Sequence, residues 1–269
     1  MINHKRSLSQ TTLTLLIVLL LAACATPAET PTPGPTLAPK PASVTIYYEE
    51  NAQVELVSSK GKRVLIDVFD PSALTSPATA EDILLTTHGH PDHVNADFLD
   101  AFPGQQLYVR EGEITLPDVA IKGIASAHNA FGTPQPEGGS NYTFVVDVDG
   151  LRIVHFGDIG QDELTQEQLD ALGEVDVAIM QLVNSYSQMD VVNKKGFNLM
   201  AQVQPKLIIP THGGGDMEAI EYAMELWQAS VVSERGATIG RPDLSGEPQL
   251  LLTGQMAPSF QKIYDLPEW

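Results

Sequence analysis

The 269-residue chain carries 15 Lys plus Arg against 34 Asp plus Glu, a formal charge of −19, with 43% hydrophobic residues. That apolar content supports a substantial core and excludes wholesale disorder, while so acidic a surface repels polyanions and argues against a nucleic-acid partner. The single cysteine, Cys24, excludes an intramolecular disulfide and a Cys-rich zinc site.

Residues 1–23 read as an address rather than as part of the fold. Lys5 and Arg6 form a positive start, and Leu13 to Leu21 is an apolar run broken only by Thr14. The run is shorter than the ~20 apolar residues that span a bilayer and fits the core of a secretory signal peptide. It ends in Leu21-Ala22-Ala23-Cys24, which resembles the lipobox of bacterial lipoproteins. That resemblance implies cleavage before Cys24 and acylation of that cysteine; an uncleaved anchor ending in a cysteine is the alternative. Either reading predicts a cell-envelope location, on the outer face of the cytoplasmic membrane or in the periplasm, with the membrane as a partner through the lipid. Residues 24–42 form a tether, because Pro at 27, 31, 33, 35, 39 and 41 prevents packing as helix or sheet. Residues 43–269 remain as one folded domain.

Within that domain strands dominate first. Val44–Tyr48, Val54–Ser58 and Arg63–Val68 are short and β-rich, with a turn at Lys60-Gly61-Lys62. Ile83–Thr87, Leu107–Arg110, Val119–Ile124, Tyr142–Val148 and Leu151–Phe156 follow, the last two joined by the hairpin signal Asp149-Gly150. Then helices alternate with strands. A helix over Glu163–Leu172 stops at Gly173, a strand covers Val175–Gln181, and a helix covers Lys195–Val203. A strand over Lys206–Thr211 precedes a helix capped by Asp216 and running through Ala229, with Met217, Ile220, Met224 and Trp227 on one face. Gln249–Thr253 is a late strand. Meanders followed by alternation predict two packed sheets with helices outside, an α/β sandwich.

The chemistry concentrates in Thr87-His88-Gly89-His90-Pro91-Asp92-His93. Residues i and i+2 on an extended backbone point the same way, so His88 and His90 can reach one metal. Pro91 suits a helix start and places Asp92 and His93 in a first turn facing a neighbouring metal. His128, Asp158 and His212 stand at three further strand ends beside small residues and glycines. Each alone reads as a loop group. His155 has the opposite strand parity to Asp158 and reads as structural.

The pattern HxHxDH at 88–93 followed by His128, Asp158 and His212 resembles the metallo-β-lactamase superfamily over roughly residues 44–215. The resemblance implies a four-layer αββα sandwich with the metal site at one edge. It implies that His88, His90 and His128 hold one metal, that Asp92, His93 and His212 hold a second, and that Asp158 bridges them. The Ile66–Pro71 segment IDVFDP, the Gly157-Asp158 pair and the Pro210-Thr211-His212 segment look most like the branch of ascorbate-6-phosphate lactonase and N-acylphosphatidylethanolamine phospholipase D. The chain departs from that branch at Glu50-Asn51-Ala52-Gln53, where a Gly-His-Ala-Ser-type segment is usual.

An all-nitrogen and oxygen donor set suits two divalent ions, Zn²⁺ first, with Mn²⁺ or Fe²⁺ compatible by ligand type. Two ions about 3.5–4 Å apart can share a hydroxide whose pKa falls to about 7, and Asp92 can orient it or help move a proton. The expected activity is hydrolysis of an ester, lactone, amide or phosphodiester bond in a small-molecule substrate. The segments Asn129–Ser140 and Asn184–Lys195, the latter with Tyr186, Met189 and two lysines, are candidate substrate walls. A lipoprotein that binds metal or ligand without turnover is the competing class, and a true β-lactamase a narrower rival. Asp158 speaks against both, since a mononuclear binder needs no bridge and those lactamases usually lack this aspartate.

Overall fold

In the computed structural model, residues 42–128, 141–212, 216–232, 234–244, 246–254 and 257–269 are described. Cys24 and all of its tether but Ala42 lie outside these residues, as does the whole candidate wall at 129–140. Fourteen strands are named among the described residues: β1 (Ser43–Tyr48), β2 (Val54–Ser58), β3 (Arg63–Ile66), β4 (Ile83–Thr86), β5 (Gln105–Tyr108), β6 (Gly112–Leu116), β7 (Val119–Ser126), β8 (Asn141–Val148), β9 (Leu151–His155), β10 (Val177–Gln181), β11 (Leu207–Thr211), β12 (Gln228–Val231), β13 (Gly236–Gly240) and β14 (Gln249–Leu252). Five helices accompany them: α1 (Ala96–Ala101), α2 (Gln166–Leu172), α3 (Lys195–Val203), α4 (Met217–Leu226) and α5 (Ala257–Tyr264).

The strands form a six-stranded sheet ordered β13-β1-β2-β3-β4-β5 and an eight-stranded sheet ordered β12-β14-β11-β10-β9-β8-β7-β6. Their facing sides share one core. Alternate residues such as Val64 and Ile66 of β3 and Ile83 and Leu85 of β4 meet Tyr142, Phe144 and Val146 of β8 and Ile153 of β9. The period-2 pattern of the strands dictates this, because every second side chain must leave water on the same face. Burying a residue the size of Phe144 stabilises the fold by about 1.5–3 kcal/mol. A second core lies on the other face of the larger sheet, where Val154, Phe156, Ala178 and Met180 meet Leu172, Phe197, Leu199, Ala219, Ile220 and Phe260 from the helices. A third, small core puts Leu65 and Leu84 of the first sheet against Phe98, Leu99 and Phe102. The order is helix, sheet, sheet, helix: the expected four-layer α/β sandwich, with a thin outer layer over the smaller sheet.

The parallel pairings position the site. β3, β4 and β5 are mutually parallel in one sheet, and β9, β10 and β11 in the other. Their C-terminal ends lead into Asp67, His88, Asp158 and His212. Ligands collect outside the carboxyl ends of parallel strands because the chain leaves the sheet there in loops.

Several elements differ from expectation. The helix after Asp216 stops at Leu226, and Trp227 is extended. Gln228–Val231 instead pairs with β14, although its apolar spacing continues the helical pattern. The helix expected from Pro91 begins only at Ala96, capped by Asn95. Residues 91–93 form a turn closed by the His93 amide on the His90 carbonyl, 2.9 Å. α1, α5, β6 and β13 carried too little local signal to be read.

Candidate metal centre

Four chain segments converge at the sandwich edge. His88, His90 and His128 place one ligand atom each within 4.8 Å of one another; so do His88, His93 and Asp158, and so do Asp92, His93 and His212. All seven residues singled out in the sequence are therefore brought together. The two oxygens of Asp158 divide between the groups. Oδ1 lies 2.9 Å from His212 Nε2 and 3.3 Å from His93 Nε2, whereas Oδ2 lies 3.5 Å from His128 Nε2 and 3.9 Å from His88 Nε2. Asp92 stands further out, 4.0 Å from His93 Nε2 and half exposed.

The donor set fits divalent cations on a direct observation. The Nε2 atoms of His88, His93 and His212 and Oδ1 of Asp158 are buried without a hydrogen-bond partner in good geometry. Orphaned polar atoms are costly at about 1–3 kcal/mol each, and four converging on one space are what a cation would satisfy. His88, His90 and His128 could hold one ion, Asp92, His93 and His212 another, with Asp158 shared.

A second layer fixes these groups. Asp67, fully buried, accepts from the His93 ring Nδ1 at 2.8 Å, from the Thr87 amide at 2.7 Å and from the Thr87 hydroxyl at 2.7 Å. The Thr87 hydroxyl also lies 3.1 Å from His88 Nδ1. Holding Nδ1 directs Nε2 into the site, the usual way a ligating imidazole is oriented. Asn141 accepts the Asp158 amide at 2.9 Å and donates to Ser126 and to the Phe156 carbonyl. Gly157, at φ +57°, turns the chain between β9 and Asp158; a Cβ there would sit 2.4 Å from Asn141 Oδ1 and 2.7 Å from Thr87 Cβ. The close approach admits no side chain.

The electrostatics follow from burial and neighbours. Burial lowers His88 to about 3, aided by the nearby His93. For His93 burial also pulls down, but Asp67 and Asp158 outweigh it and raise the ring to about 10. Asp158 is held far below the usual carboxylate range: burial opposes this, and the surrounding His128, His212 and His93 prevail.

His155 stays out of the ligand groups. It donates Nε2–H to the Ala52 carbonyl at 2.9 Å and accepts the Gly157 amide on Nδ1. Parity is not the reason: β9 ends at His155 and Gly157 turns, so His155 is excluded because both its nitrogens are used. Of the candidate wall at 184–195, Met189 is buried, Lys194 donates to Tyr222, and Lys195 pairs with Asp162. Tyr186 and Val192 are the segment's large apolar side chains left to face solvent. Asp67 was missed as a site residue although the signal existed, since a carboxylate inside the apolar run Val64–Val68 must be paired if buried. The segment Glu50–Gln53, where the branch pattern breaks, supports the site through its backbone: the Asn51 carbonyl accepts the His212 amide at 3.0 Å.

Comparison with known proteins adds the following. The family model described as the β-lactamase superfamily domain matches residues 45–212. A UPF0173 metal-dependent hydrolase of Symbiobacterium thermophilum is 26% identical over 196 residues, covering 63% of this chain and 84% of its own. One from Thermoplasma acidophilum is 27% identical over 194 residues, covering 63% and 83%. A solved structure from Thermotoga maritima, of a candidate Zn-dependent hydrolase of the metallo-β-lactamase superfamily, superimposes with a TM-score of 0.57 at 22% identity, covering 78% of this chain and 98% of that one.

Proposed function

The chain belongs to the metallo-β-lactamase superfamily and is a metal-dependent hydrolase of that fold; from that premise we propose that it works with two divalent cations, Zn²⁺ first, and cleaves an ester, lactone, amide or phosphodiester bond of a small molecule at the cell envelope. The observation that carries the two-ion reading is the Asp158 carboxylate, one oxygen turned to His93 and His212 and the other to His88 and His128. Bound there, the ions would lower the pKa of a water toward neutrality and polarise the scissile group.

The chain's own residues do the rest. Asp67 holds the His93 proton on Nδ1 and so keeps Nε2 available as a donor atom. Asp158, anionic at any working pH, offsets the repulsion between two cations. Asp92, half exposed beside His93, is placed to accept a proton from an attacking water and to pass it to solvent. Within the superfamily, the branch of ascorbate-6-phosphate lactonase and N-acylphosphatidylethanolamine phospholipase D remains our preferred placement, on Ile66–Pro71 and Pro210-Thr211-His212.

The test is reconstitution with excess Zn²⁺ or Mn²⁺, elemental analysis, and assay against β-lactam, lactone and phosphodiester substrates. About two metals per chain with turnover of a lactone or phosphodiester supports the proposal. No more than one metal, or no turnover of any of these substrates, argues against it. The location rests on Leu21-Ala22-Ala23-Cys24 and the proline-rich tether. Cys24→Ala should release the protein or leave it unprocessed, and membrane fractionation with unchanged processing and recovery would remove the lipid anchor.

A further inference from the structure

The segment after β10 does more than border the site. Asn184 donates through Nδ2 to Asp158 Oδ2 at 2.9 Å and to Gln181 Oε1 at 2.7 Å, and its Oδ1 accepts the Tyr186 amide at 2.9 Å. Three of the four hydrogen-bonding positions of this side chain are thus used, and one of them lies on the carboxylate that divides between the two histidine groups. The backbone of Asn184 is paired with Met189 in both directions, at 3.0 and 2.9 Å, which closes the segment into a small loop. Ser187, fully buried in that loop, donates its hydroxyl to the Asp158 carbonyl at 3.1 Å. Gln181 donates to the Ile159 carbonyl at 2.8 Å. Asp158 and the residue after it are therefore gripped at three atoms, two from the loop and one from the end of β10. Tyr186, 78% exposed, projects from the same loop.

We propose that Asn184 is a positioning residue for the metal centre: its amide fixes the Asp158 carboxylate so that one oxygen faces each histidine group, and it ties the Tyr186 loop to that carboxylate. A carboxylate oxygen has room for both a cation and one N–H donor, and a ligating carboxylate is ordinarily held by such a bond. Without the amide, Asp158 is free to rotate about its side-chain bonds, and the split between Oδ1 and Oδ2 is lost. The inference rests on the two-cation reading above.

Two variants separate positioning from simple turn capping. Asn184→Ser keeps an oxygen able to accept the Tyr186 amide but is too short to reach Asp158 or Gln181, while Asn184→Ala removes all three contacts. Zn²⁺ affinity would be measured by competition with a chromophoric chelator on wild type and both variants, with circular dichroism and thermal melting of the metal-free proteins alongside. We expect both variants to bind Zn²⁺ about 10–100-fold more weakly than wild type, and Asn184→Ser to keep, metal-free, the circular dichroism spectrum and cooperative melt of a folded protein. Wild-type affinity in Asn184→Ser would overturn the inference and leave Asn184 a turn cap. If wild type itself binds no Zn²⁺, the metal-centre reading fails instead. Should Asn184→Ala fail to fold, the Asn184→Ser titration alone decides.

Discussion

His88 and His93 lie five residues apart on one loop, with ring centroids 3.9 Å apart and both side chains buried, yet they are driven in opposite directions. His88, in the group with His90 and His128, is pushed to about 3 by burial and by the charge of His93. His93, in the group with Asp92 and His212, is raised to about 10 because Asp67 and Asp158 flank it and outweigh burial. His88 is thus a neutral donor ready for a cation, and His93 carries a proton that a cation must expel. What separates two histidines of one motif is the carboxylate behind one of them.

The largest effect should come from removing what both groups share. Asp158→Ala should lower bound metal from about two toward one and cut the rate by several orders of magnitude, with the fold largely kept. Metal content and turnover both near wild type would show that the groups do not depend on a common carboxylate.

Asp67→Asn should act mainly on one side. It replaces the carboxylate behind His93 Nδ1 with a neutral amide and should weaken the ion held by Asp92, His93 and His212 about 10–100-fold, more than the other, which Asp67 reaches only through Thr87 and His88. A two-step Zn²⁺ titration in which the weaker step moves more than the tighter one is the expected outcome. Equal loss in both steps would erase the distinction.

The protonation difference gives a pH test. At pH 7 binding at the His93 side should release about one proton, read as a dependence of calorimetric enthalpy on buffer ionisation. In the metal-free protein, the raised His93 contributes stability that is complete below about pH 6.5 and is lost as pH rises through about 10. His88 contributes the other limb. Its folded pKa is depressed, so stability falls as pH drops from about 6.5 toward 3. Chemical denaturation of metal-free protein across that range should show loss at both ends. A flat profile would mean that neither ring is perturbed.

His155→Ala should have the smallest effect on the centre. It deletes two buried hydrogen bonds, to Ala52 and Gly157, and should cost about 1–3 kcal/mol of stability. Metal content should be unchanged, and its loss would move His155 into the ligand set.

How much of this could be read in advance follows the locality of the signal. His88, His90, Asp92 and His93 are contiguous and their spacing is itself the evidence. Asp158 and His212 were legible as strand ends beside glycines. Strands β2, β8 and β11 show their alternation or apolar run directly, and the hairpin at Asp149-Gly150 announces itself. The remainder depends on partners distant in sequence. Gly236–Gly240 becomes a strand because it pairs with Ser43–Tyr47. Gln228–Val231 leaves its helix because β14 offers a parallel edge. Asn184 opens a segment that the sequence offers only as a candidate substrate wall, and its hydrogen bond to Asp158 is visible only once β9 and β10 bring the two together.

Anomalous diffraction from Zn²⁺-loaded crystals tests the central claim most directly. The account predicts two peaks about 3.5–4 Å apart, one beside His88, His90 and His128 and one beside Asp92, His93 and His212, with Asp158 between them. A single peak, or two peaks not joined by Asp158, would contradict it.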